Sequence, residues 1–261
     1  MTPLSGKRIL VTRPRAQAAD LGDKLLALGA QPILFPTIEI APLDDYSSLD
    51  RAIASLKEYH WIIFTSANGV AAFWNRLNDR LPPQIKVAAI GPATARALQE
   101  NGARAELIPD EYVAEAILEK IGDVKDQWIL LPRADIAREA LATELSNRGA
   151  IVHEIAVYRT LPTAPDSNGL AELQRGVDVI TFTSSSTVRN FVALVGQDII
   201  LPNALIACIG PITAQSAREV GLRVNVMAKE YTIAGLVAAL VDHFTHSENQ
   251  HDDAHYQISN H

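Results

Sequence analysis

Two short polar motifs stand where the sequence could bind an anion. Each follows a continuous apolar run, WIIF or VITF, and precedes a helix-like pattern. The motifs are Thr65, Ser66 and Ala67 in one copy and Thr183, Ser184 and Ser185 in the other. At such a junction the first helix N–H groups have no intrahelical partner, and the helix dipole favours negative charge. Ser66 and Ser184 could bind an anion with these groups, or could be plain helix N-caps.

A second pair of motifs supports the anion hypothesis. Gly91 and Gly210 each precede a proline, and proline is favoured in the first turn of a helix. Both glycines therefore stand at expected helix starts, as the Thr-Ser motifs do. Ligands of parallel sheets bind at the carboxyl ends of the strands, where these helices begin. Because both kinds of junction occur twice, the pattern favours a two-sided anion site over independent caps.

Two single residues could add charge and acid–base chemistry. Arg13 follows the first strand-like segment, where it could contact an anion or remain solvated. Tyr158 lies where a strand-like segment gives way to a linker, so it could act as a weak general acid or pack at a domain junction. The sequence has no GxGxxG, P-loop, CxxC or HExxH motif. A reaction would therefore rely on positioning and electrostatics, and no metal is expected.

The elements that position these residues form two kinds of repeated unit. The first kind, at 7–36 and 127–158, reads as a strand, an Arg-bearing turn, an amphipathic helix, a glycine and a second strand. Arg13 matches Arg133 in this repeat, at an offset of 120 residues. The second kind begins with the Thr-Ser motifs and reads as three strand–helix steps. Its two Gly-Pro motifs lie 119 residues apart.

Alternating strands and helices predict an α/β protein with two similar domains, each a parallel β-sheet flanked by helices. The apolar runs are continuous, as is typical of strands covered on both faces. The order of the repeats allows either contiguous pairing or insertion of one domain into the other. Extended segments with prolines at 38–45 and 156–165 resemble linkers, and two linkers favour the inserted arrangement.

Composition narrows the classes of function. The chain has 261 residues and a formal net charge of −7, which argues against nucleic-acid binding through a broad basic surface. No apolar segment approaches the roughly 20 residues needed to cross a bilayer, and no signal peptide is expected. The single cysteine, Cys208, excludes an internal disulfide and fits a cytoplasmic location. The polar tail at 246–261 is expected to be disordered.

Several motifs follow one another in a characteristic order: ILVTRP, FTSANGV, AIGPATARAL, VYRT, FTSSSTV and IGPITA. In order and spacing they resemble the uroporphyrinogen-III synthase family, over about residues 7–240. The resemblance implies two flavodoxin-like domains joined by a two-stranded linker. The implied discontinuous domain comprises 1–37 and 163–245, the inserted domain 43–156, and the linkers 38–42 and 157–162.

The resemblance also implies a reaction. The family closes linear hydroxymethylbilane to uroporphyrinogen III with loss of water and inversion of ring D, as a lyase of heme and other tetrapyrrole biosynthesis. It implies that Tyr158 helps the terminal hydroxyl leave, that Thr232 faces the site, and that no metal or organic cofactor takes part. The expected substrate-binding residues are Arg13, Thr65, Ser66, Ala67, Gly91, Thr183, Ser184, Ser185, Gly210 and Thr232.

An alternative function of another class is a non-catalytic cytoplasmic binding or sensor protein whose two domains close on an anionic ligand. Consumption of the bilane, rather than retention of a porphyrinogen, would separate the two hypotheses. For the enzyme we expect a monomer, because the symmetry is already internal to the chain, and neither a nucleic-acid nor a membrane partner. Whether the preceding pathway enzyme delivers the substrate by transient contact stays open.

Overall fold

The chain forms two compact units. The computed structural model describes residues 2–111, 114–136, 140–164, 166–196 and 204–258. Unit 1 comprises Met1–Glu39 and Pro162–His261, and unit 2 comprises Ile40–Leu161. The chain therefore passes from one unit to the other twice, and both passages lie in the segments predicted as linkers. The finer domain boundaries stay a prediction.

Strands and helices alternate along most of the described residues. The strands are β1 (Arg8–Val11), β2 (Gln31–Leu34), β3 (Ile38–Ala41), β4 (Trp61–Phe64), β5 (Lys86–Ala89), β6 (Trp128–Ala134), β7 (Ile151–Pro162), β8 (Val179–Phe182), β9 (Leu205–Cys208) and β10 (Val224–Met227). The helices are α1 (Arg15–Ala27), α2 (Ser47–Ala54), α3 (Ala67–Leu77), α4 (Pro92–Glu100), α5 (Ala114–Lys120), α6 (Ala140–Asn147), α7 (Ser167–Gln174), α8 (Ser185–Val195), α9 (Pro211–Glu219) and α10 (Ile233–Ile258). Within this described part of the chain, no helix is both long and apolar enough to cross a membrane.

The sheet of unit 1 has the strand order β10-β9-β8-β1-β2, and its neighbouring strands pair in parallel. If the five strands are numbered within the unit, the order is 2-1-3-4-5, which is that of flavodoxin-like folds. In such folds the sequence of strand placement changes sides between the first and third strands, here β1 and β8. In β1, which lies between β8 and β2, Val11 pairs with Leu34 of β2 and with Thr181 of β8. All four residues of β8 are buried, which explains its continuous apolar sequence.

Helices cover both faces of each sheet. In unit 1, α1 and α10 bury Leu21 and Leu236 on one face, while α8 and α9 bury Phe191 and Ala214 on the other. In unit 2, α2, α3 and α4 cover one face, and α5 and α6 cover the other. Each fully buried Leu or Phe side chain stabilises its unit by roughly 1.5–3 kcal/mol before entropy is counted.

The sheet of unit 2 has the order β3-β7-β6-β4-β5, and the pairs β6–β7, β4–β6 and β4–β5 are parallel. By the repeat offsets, β7, β6, β4 and β5 correspond to β2, β1, β8 and β9, so both sheets place equivalent strands side by side. Along the chain, however, the Thr-Ser half comes first in unit 2 and second in unit 1. The units are therefore circular permutants of each other, and the prediction of two similar parallel α/β domains is confirmed.

Three segments differ from the sequence prediction. The third strand of the Thr-Ser half of unit 2 is reduced to a bridge between Ala88 and Leu107, because Pro109 has no N–H to extend the ladder. Arg133 lies within β6 rather than in a turn, because β6 continues its pairing with β7. The polar tail continues α10 to Ile258, since neither glycine nor proline interrupts that segment.

Candidate active site

Most of the predicted site residues follow the carboxyl ends of strands, and they do so in both units. In unit 2, Ser66 follows β4, Gly91 follows β5 and Tyr158 lies in β7. In unit 1 the corresponding residues follow β1, β8, β9 and β10; they are Arg13, Thr183, Ser184, Ser185, Gly210 and Thr232. This is the edge at which parallel α/β sheets bind ligands. The structure thus divides the predicted residues into one group per unit.

Ser66 caps the helix that leaves β4. Its Oγ accepts a hydrogen bond from the N–H of Gly69 at 3.0 Å. A Cβ atom on Gly69 would lie 3.0 Å from the carbonyl oxygen of Pro132 and 3.2 Å from Ser66 Oγ. Glycine therefore allows the first turn of α3 to lie directly against β6. Thr65, Ser66 and Ala67 are half-buried, so this turn keeps a face on which a ligand can be bound.

Tyr158 contacts this helix cap. Its Oη lies 3.1 Å from Ser66 Oγ. The residue is only 8% exposed, and its ring belongs to the same apolar core as Val157. Successive residues of a regular strand face opposite sides of the sheet. A register shift between Arg133 and Ala134 interrupts the pairing of β6 with β7 and lets both Val157 and Tyr158 enter this core.

The surroundings of Tyr158 keep its phenol protonated. Burial raises the pKa of Tyr158 above its ordinary value, and Asp135 raises it further. Hydrogen bonds from the side chains of Ser66 and Asn68 act in the opposite direction on this pKa, as does the charge of Arg133. Because desolvation is the largest of these effects, Tyr158 carries a proton at neutral pH. The two side-chain partners are the groups that would support a phenolate if that proton were given away.

At the equivalent helix start in unit 1, Ser184 forms its hydrogen bonds within its own helical turn. Ser184 Oγ accepts from the N–H of Thr187 at 3.3 Å, and Thr187 Oγ1 accepts from the N–H of Ser184 at 3.3 Å, which forms a capping box. Ser184 Oγ also lies 2.9 Å from Ser186 Oγ. Ser184 therefore differs from Ser66 in its partners, although both are N-caps.

The two repeat-equivalent arginines have different surroundings. Arg133 is buried, at 5% exposure, and its Nη1 pairs with the carboxylate of Glu154. Arg13 is half-buried, and its Nη2 donates to Gln17 Oε1 at 3.3 Å. Within the described residues Arg13 forms no ion pair. Burial lowers the pKa of Arg13, with Asp20 acting in the opposite direction, but a guanidinium stays charged.

Gly210 and Thr232 lie at adjoining helix starts of unit 1. A Cβ atom on Gly210 would lie 3.1 Å from the ring of Tyr231, so the glycine makes room for this ring. Thr232 Oγ1 caps α10 by accepting from the N–H of Gly235 at 3.0 Å. In unit 2, Gly91 precedes α4 in the same extended conformation as Gly210. Tyr112, the repeat equivalent of Tyr231, lies outside the described residues.

A groove of about 710 Å³ between β10 and α10 is a different feature. Its charged lining includes Lys229, Glu230 and Asp242. None of the predicted site residues lines it. One lysine stands against two carboxylates in this lining, so the groove offers a polyanionic ligand no net attraction. We therefore assign the candidate site to the strand ends and not to this groove.

Comparisons with known proteins give the family. The family model described as uroporphyrinogen-III synthase HemD matches residues 19–238. The chain belongs to the uroporphyrinogen-III synthase family. A uroporphyrinogen-III synthase of Synechococcus elongatus is 37% identical to it over 256 residues, covering 91% of this chain and 96% of that protein. A porphyrin biosynthesis protein HemD of Ruminiclostridium josui is 33% identical over 251 residues, covering 92% of this chain and 49% of that longer protein.

Solved structures of the uroporphyrinogen-III synthase family share the fold. A crystal structure of a mutant uroporphyrinogen III synthase from the extremely thermophilic bacterium Thermus thermophilus has a TM-score of 0.67 to this chain, at 20% identity. The likeness covers 93% of this chain and 100% of that one. The family model and the relatives confirm the family resemblance predicted from the motifs. They also confirm the enzyme class, since the family is one of cyclising hydro-lyases of heme biosynthesis.

The sequence did not predict Asn68 as a residue of the candidate site. Asn68 lies in the first turn of α3, and its side chain hydrogen-bonds to Tyr158. The sequence signal was its difference from Ser186, which occupies the same place in the repeat. Among the described residues, no group of three or more His, Cys, Asp or Glu side chains could hold a metal ion. The expectation that the reaction needs no cofactor stays a prediction.

Proposed function

We propose that Tyr158 is the general acid in the reaction of this family, the closure of hydroxymethylbilane to uroporphyrinogen III with loss of water and inversion of ring D. The observation that carries the proposal is the 3.1 Å contact between Tyr158 Oη and Ser66 Oγ at the start of α3. Burial raises the pKa of Tyr158, so the phenol holds a proton to donate at neutral pH. The terminal hydroxyl of the bilane leaves far more readily as water than as hydroxide.

The proposed step balances its protons. Tyr158 Oη donates a proton to the hydroxymethyl oxygen while the carbon–oxygen bond breaks, and water departs with both bonding electrons. The carbon becomes part of an azafulvenium-like cation, which bonds to the substituted α-carbon of the terminal pyrrole and forms a spiro intermediate. The bond from this α-carbon to its original methylene group then breaks, and that methylene bonds to the free α-carbon of the same ring, which inverts ring D. A pyrrole carbon finally loses one proton, and the Tyr158 phenolate takes up one proton. The net change is one bilane to one macrocycle and one water.

The remaining predicted residues bind the substrate in this proposal. Hydroxymethylbilane, the substrate of the family, carries eight carboxylates. Several cationic or N–H groups must bind these carboxylates to hold the substrate in one conformation. The starts of α3 and α8 supply N–H groups and a favourable dipole, and Arg13 supplies a charge that forms no ion pair with a carboxylate of the described residues. Gly91, Gly210 and Thr232 lie at further helix starts of the same kind.

A coupled assay tests the role of Tyr158. The preceding reaction generates hydroxymethylbilane in situ, the protein is added, and the oxidised products are separated into isomers I and III. Tyr158→Phe should lower the rate of isomer III formation by about tenfold or more, the range of acid–base catalysis. The matched control is Tyr59→Phe, because Tyr59 is also buried in unit 2 and its hydroxyl contacts His153 Nδ1 at 2.6 Å. It should keep full activity.

Each outcome of this assay has a clear meaning. Slow isomer III formation by a folded Tyr158→Phe protein, with Tyr59→Phe unaffected, supports the acid role. Equal rates for the wild type and Tyr158→Phe would reduce Tyr158 to a packing residue. Isomer I alone from folded wild-type protein would point instead to a binding protein.

We also propose that the protein works in the cytoplasm as a monomer and takes its substrate from the preceding enzyme in a transient contact. The free, buried Cys208 fits a reducing compartment, and the duplicated fold carries its symmetry within one chain. Sedimentation equilibrium should give a mass near 28.3 kDa. A stable dimer would contradict the monomer. If diluting both enzymes together raises the share of isomer I by the factor that free diffusion of the bilane predicts, direct transfer is contradicted.

A further inference from the structure

Ser66 takes part in two hydrogen bonds at once. Its Oγ accepts the N–H of Gly69 at 3.0 Å and lies 3.1 Å from Tyr158 Oη. While Tyr158 is a phenol, either hydroxyl can be the donor between the two oxygens. Once Tyr158 has lost its proton, only the Ser66 hydroxyl can donate. The contact therefore becomes a charge-assisted hydrogen bond in the state that follows proton transfer, and such bonds are about twice as strong as neutral ones.

A second donor comes from the same helical turn. Asn68 follows Ser66 by two residues, and its side chain hydrogen-bonds to Tyr158. Both residues belong to the start of α3, where the helix dipole favours negative charge. Gly69 holds this turn against β6, because any Cβ atom there would meet the Pro132 carbonyl oxygen at 3.0 Å. The turn that contacts Tyr158 is therefore closely packed against β6.

We propose that the first turn of α3, through the hydroxyl of Ser66 and the side chain of Asn68, orients Tyr158 and stabilises the phenolate that forms when Tyr158 protonates the departing hydroxyl. Ser66 and Asn68 are positioning residues in this role, since they act through Tyr158 and keep their own protons. The inference rests on the proposed acid role of Tyr158. It replaces the direct substrate contact expected for Ser66 with an indirect one.

Unit 1 supplies the internal contrast. At the repeat offset of 120, Ile38 stands where Tyr158 stands in unit 2, and Ser184 bonds to its own turn. The N-cap serine by itself is thus a feature of the scaffold. Its partnership with a tyrosine occurs at the Ser66 copy of the repeat, which assigns the acid to unit 2.

A double-mutant cycle on the full chain separates an indirect role from a direct one. Ser66→Ala should lower kcat about tenfold when Tyr158 is present, which corresponds to the loss of one hydrogen bond to a charged group. In the Tyr158→Phe background the same change should alter kcat less than about twofold, because there is no phenolate left to stabilise. Asn68→Ala should show the same dependence on Tyr158 with a smaller effect.

Two further readouts exclude a merely structural effect. Ser66→Thr keeps a hydroxyl and a helix cap, so it should restore most of the lost kcat. In Ser66→Ala the alkaline limb of the kcat profile should move to higher pH, because the phenolate has lost a donor.

The control Asp166→Ala removes the N-cap of α7, which accepts the N–H of Asn168 at 3.1 Å. It should lower the melting temperature similarly while leaving kcat and its pH profile unchanged.

The results that overturn the inference differ from those that overturn the acid role. If Tyr158→Phe slows turnover and Ser66→Ala slows it by the same further factor in both backgrounds, Ser66 acts on the substrate directly and the inference is wrong. An unchanged kcat in Ser66→Ala would also refute it while leaving the acid role intact. An unchanged rate in Tyr158→Phe would remove the acid role itself and the inference with it.

Discussion

The same strand ends are used differently in the two units. In unit 1, buried hydroxyls bond to the backbone: Thr12 Oγ1 donates to the carbonyl of Thr181 at 2.7 Å, and Thr37 Oγ1 lies 3.2 Å from the carbonyls of both Thr12 and Thr187. The repeat-equivalent positions in unit 2 carry no hydroxyl. Thr12 and Thr37 correspond to Pro132 and Val157, and Thr181 and Thr187 correspond to Ile63 and Gly69.

This difference shows how a duplicated scaffold separates support from chemistry. The threonines of unit 1 satisfy one another's backbone and are buried, so they stabilise the strand ends and have little capacity left for a ligand. In unit 2 close packing takes the place of this network, and the hydroxyl of Ser66 bonds to Tyr158. Two equivalent helix starts can thus bind anions alike, while the proposed acid belongs to one of them.

The largest expected effect is on stability, and it compares the starts of α10 and α5, of which only the first needs a glycine. A Cβ atom on Gly235 would lie 2.0 Å from the carbonyl oxygen of Glu230, whereas unit 2 has Ala116 at the equivalent position. Gly235→Ala must displace the start of α10 and its Thr232 cap, at a cost of about 3 kcal/mol in the free energy of unfolding. Ala116→Gly should cost only about 1 kcal/mol, its helix propensity. Denaturant unfolding of both variants measures this, and equal losses would contradict the asymmetry.

The next effect sharpens the contrast between the two arginines. Leu34 stands where Glu154 stands in unit 2, as the pairings Val11 with Leu34 and Leu131 with Glu154 show. Leu34→Glu should give Arg13 an internal partner. If Arg13 binds a substrate carboxylate, the KM for hydroxymethylbilane should rise about tenfold with kcat nearly unchanged.

Two controls accompany this substitution. Leu34→Gln has the size of glutamate without its charge and should leave KM close to that of the wild type. Leu26→Glu adds the same charge at a position of α1 that is 62% exposed, and should also leave KM unchanged. An unaltered KM in Leu34→Glu would remove Arg13 from the substrate-binding set.

The smallest effect depends on pH. Burial raises the pKa of the Cys208 thiol from 9.0 to about 12, and unit 2 has Ala89 at the equivalent position. Between pH 9 and 12 the unfolded thiol ionises while the folded thiol does not, so stability falls as the pH rises. The wild type should lose about 1.4 kcal/mol by pH 10 through this residue. Cys208→Ala should be about 1 kcal/mol less stable at pH 7 but lack this loss.

Chemical denaturation at pH 8, 9 and 10 checks the Cys208 prediction. Burial also raises the pKa values of Tyr59 and Tyr158, but both proteins contain these tyrosines, so their ionisation cancels from the difference between the proteins. The two stabilities should converge by pH 10. Parallel pH dependences for the wild type and Cys208→Ala would show that the thiol does not control stability there.

The sequence predicted the architecture well because the architecture repeats. The continuous runs WIIF and VITF became the fully buried strands β4 and β8, and the Thr-Ser motifs became the N-caps of α3 and α8. Burial and helix capping are local demands, so local patterns record them. The prediction was less good where strand pairing determines the structure. At Leu107 a strand was predicted, but the following proline limits the pairing to a single bridge.

The candidate site was predictable only as a set of positions. Tyr158 and Ser66 were each identified from the sequence, yet nothing in their spacing of 92 residues indicated a contact. The register shift in β7 places the phenol next to the α3 cap, and a shift of pairing between strands leaves no local signature. For the same reason Arg13 and Arg133 read alike in sequence, although a partner on the neighbouring strand neutralises only Arg133.

The sequence by itself determined the duplicated α/β pattern, the helix starts at the strand ends and, through its motifs, the family. These properties depend on short-range periodicity and capping, which each segment carries alone. Only the tertiary structure decided that the two units are circular permutants with the same strand order, and that the hydroxyl of Tyr158 lies on the N-cap of α3. Those outcomes depend on which distant strands pair and in which register, because hydrogen-bonded neighbours in a parallel sheet come from separate parts of the chain.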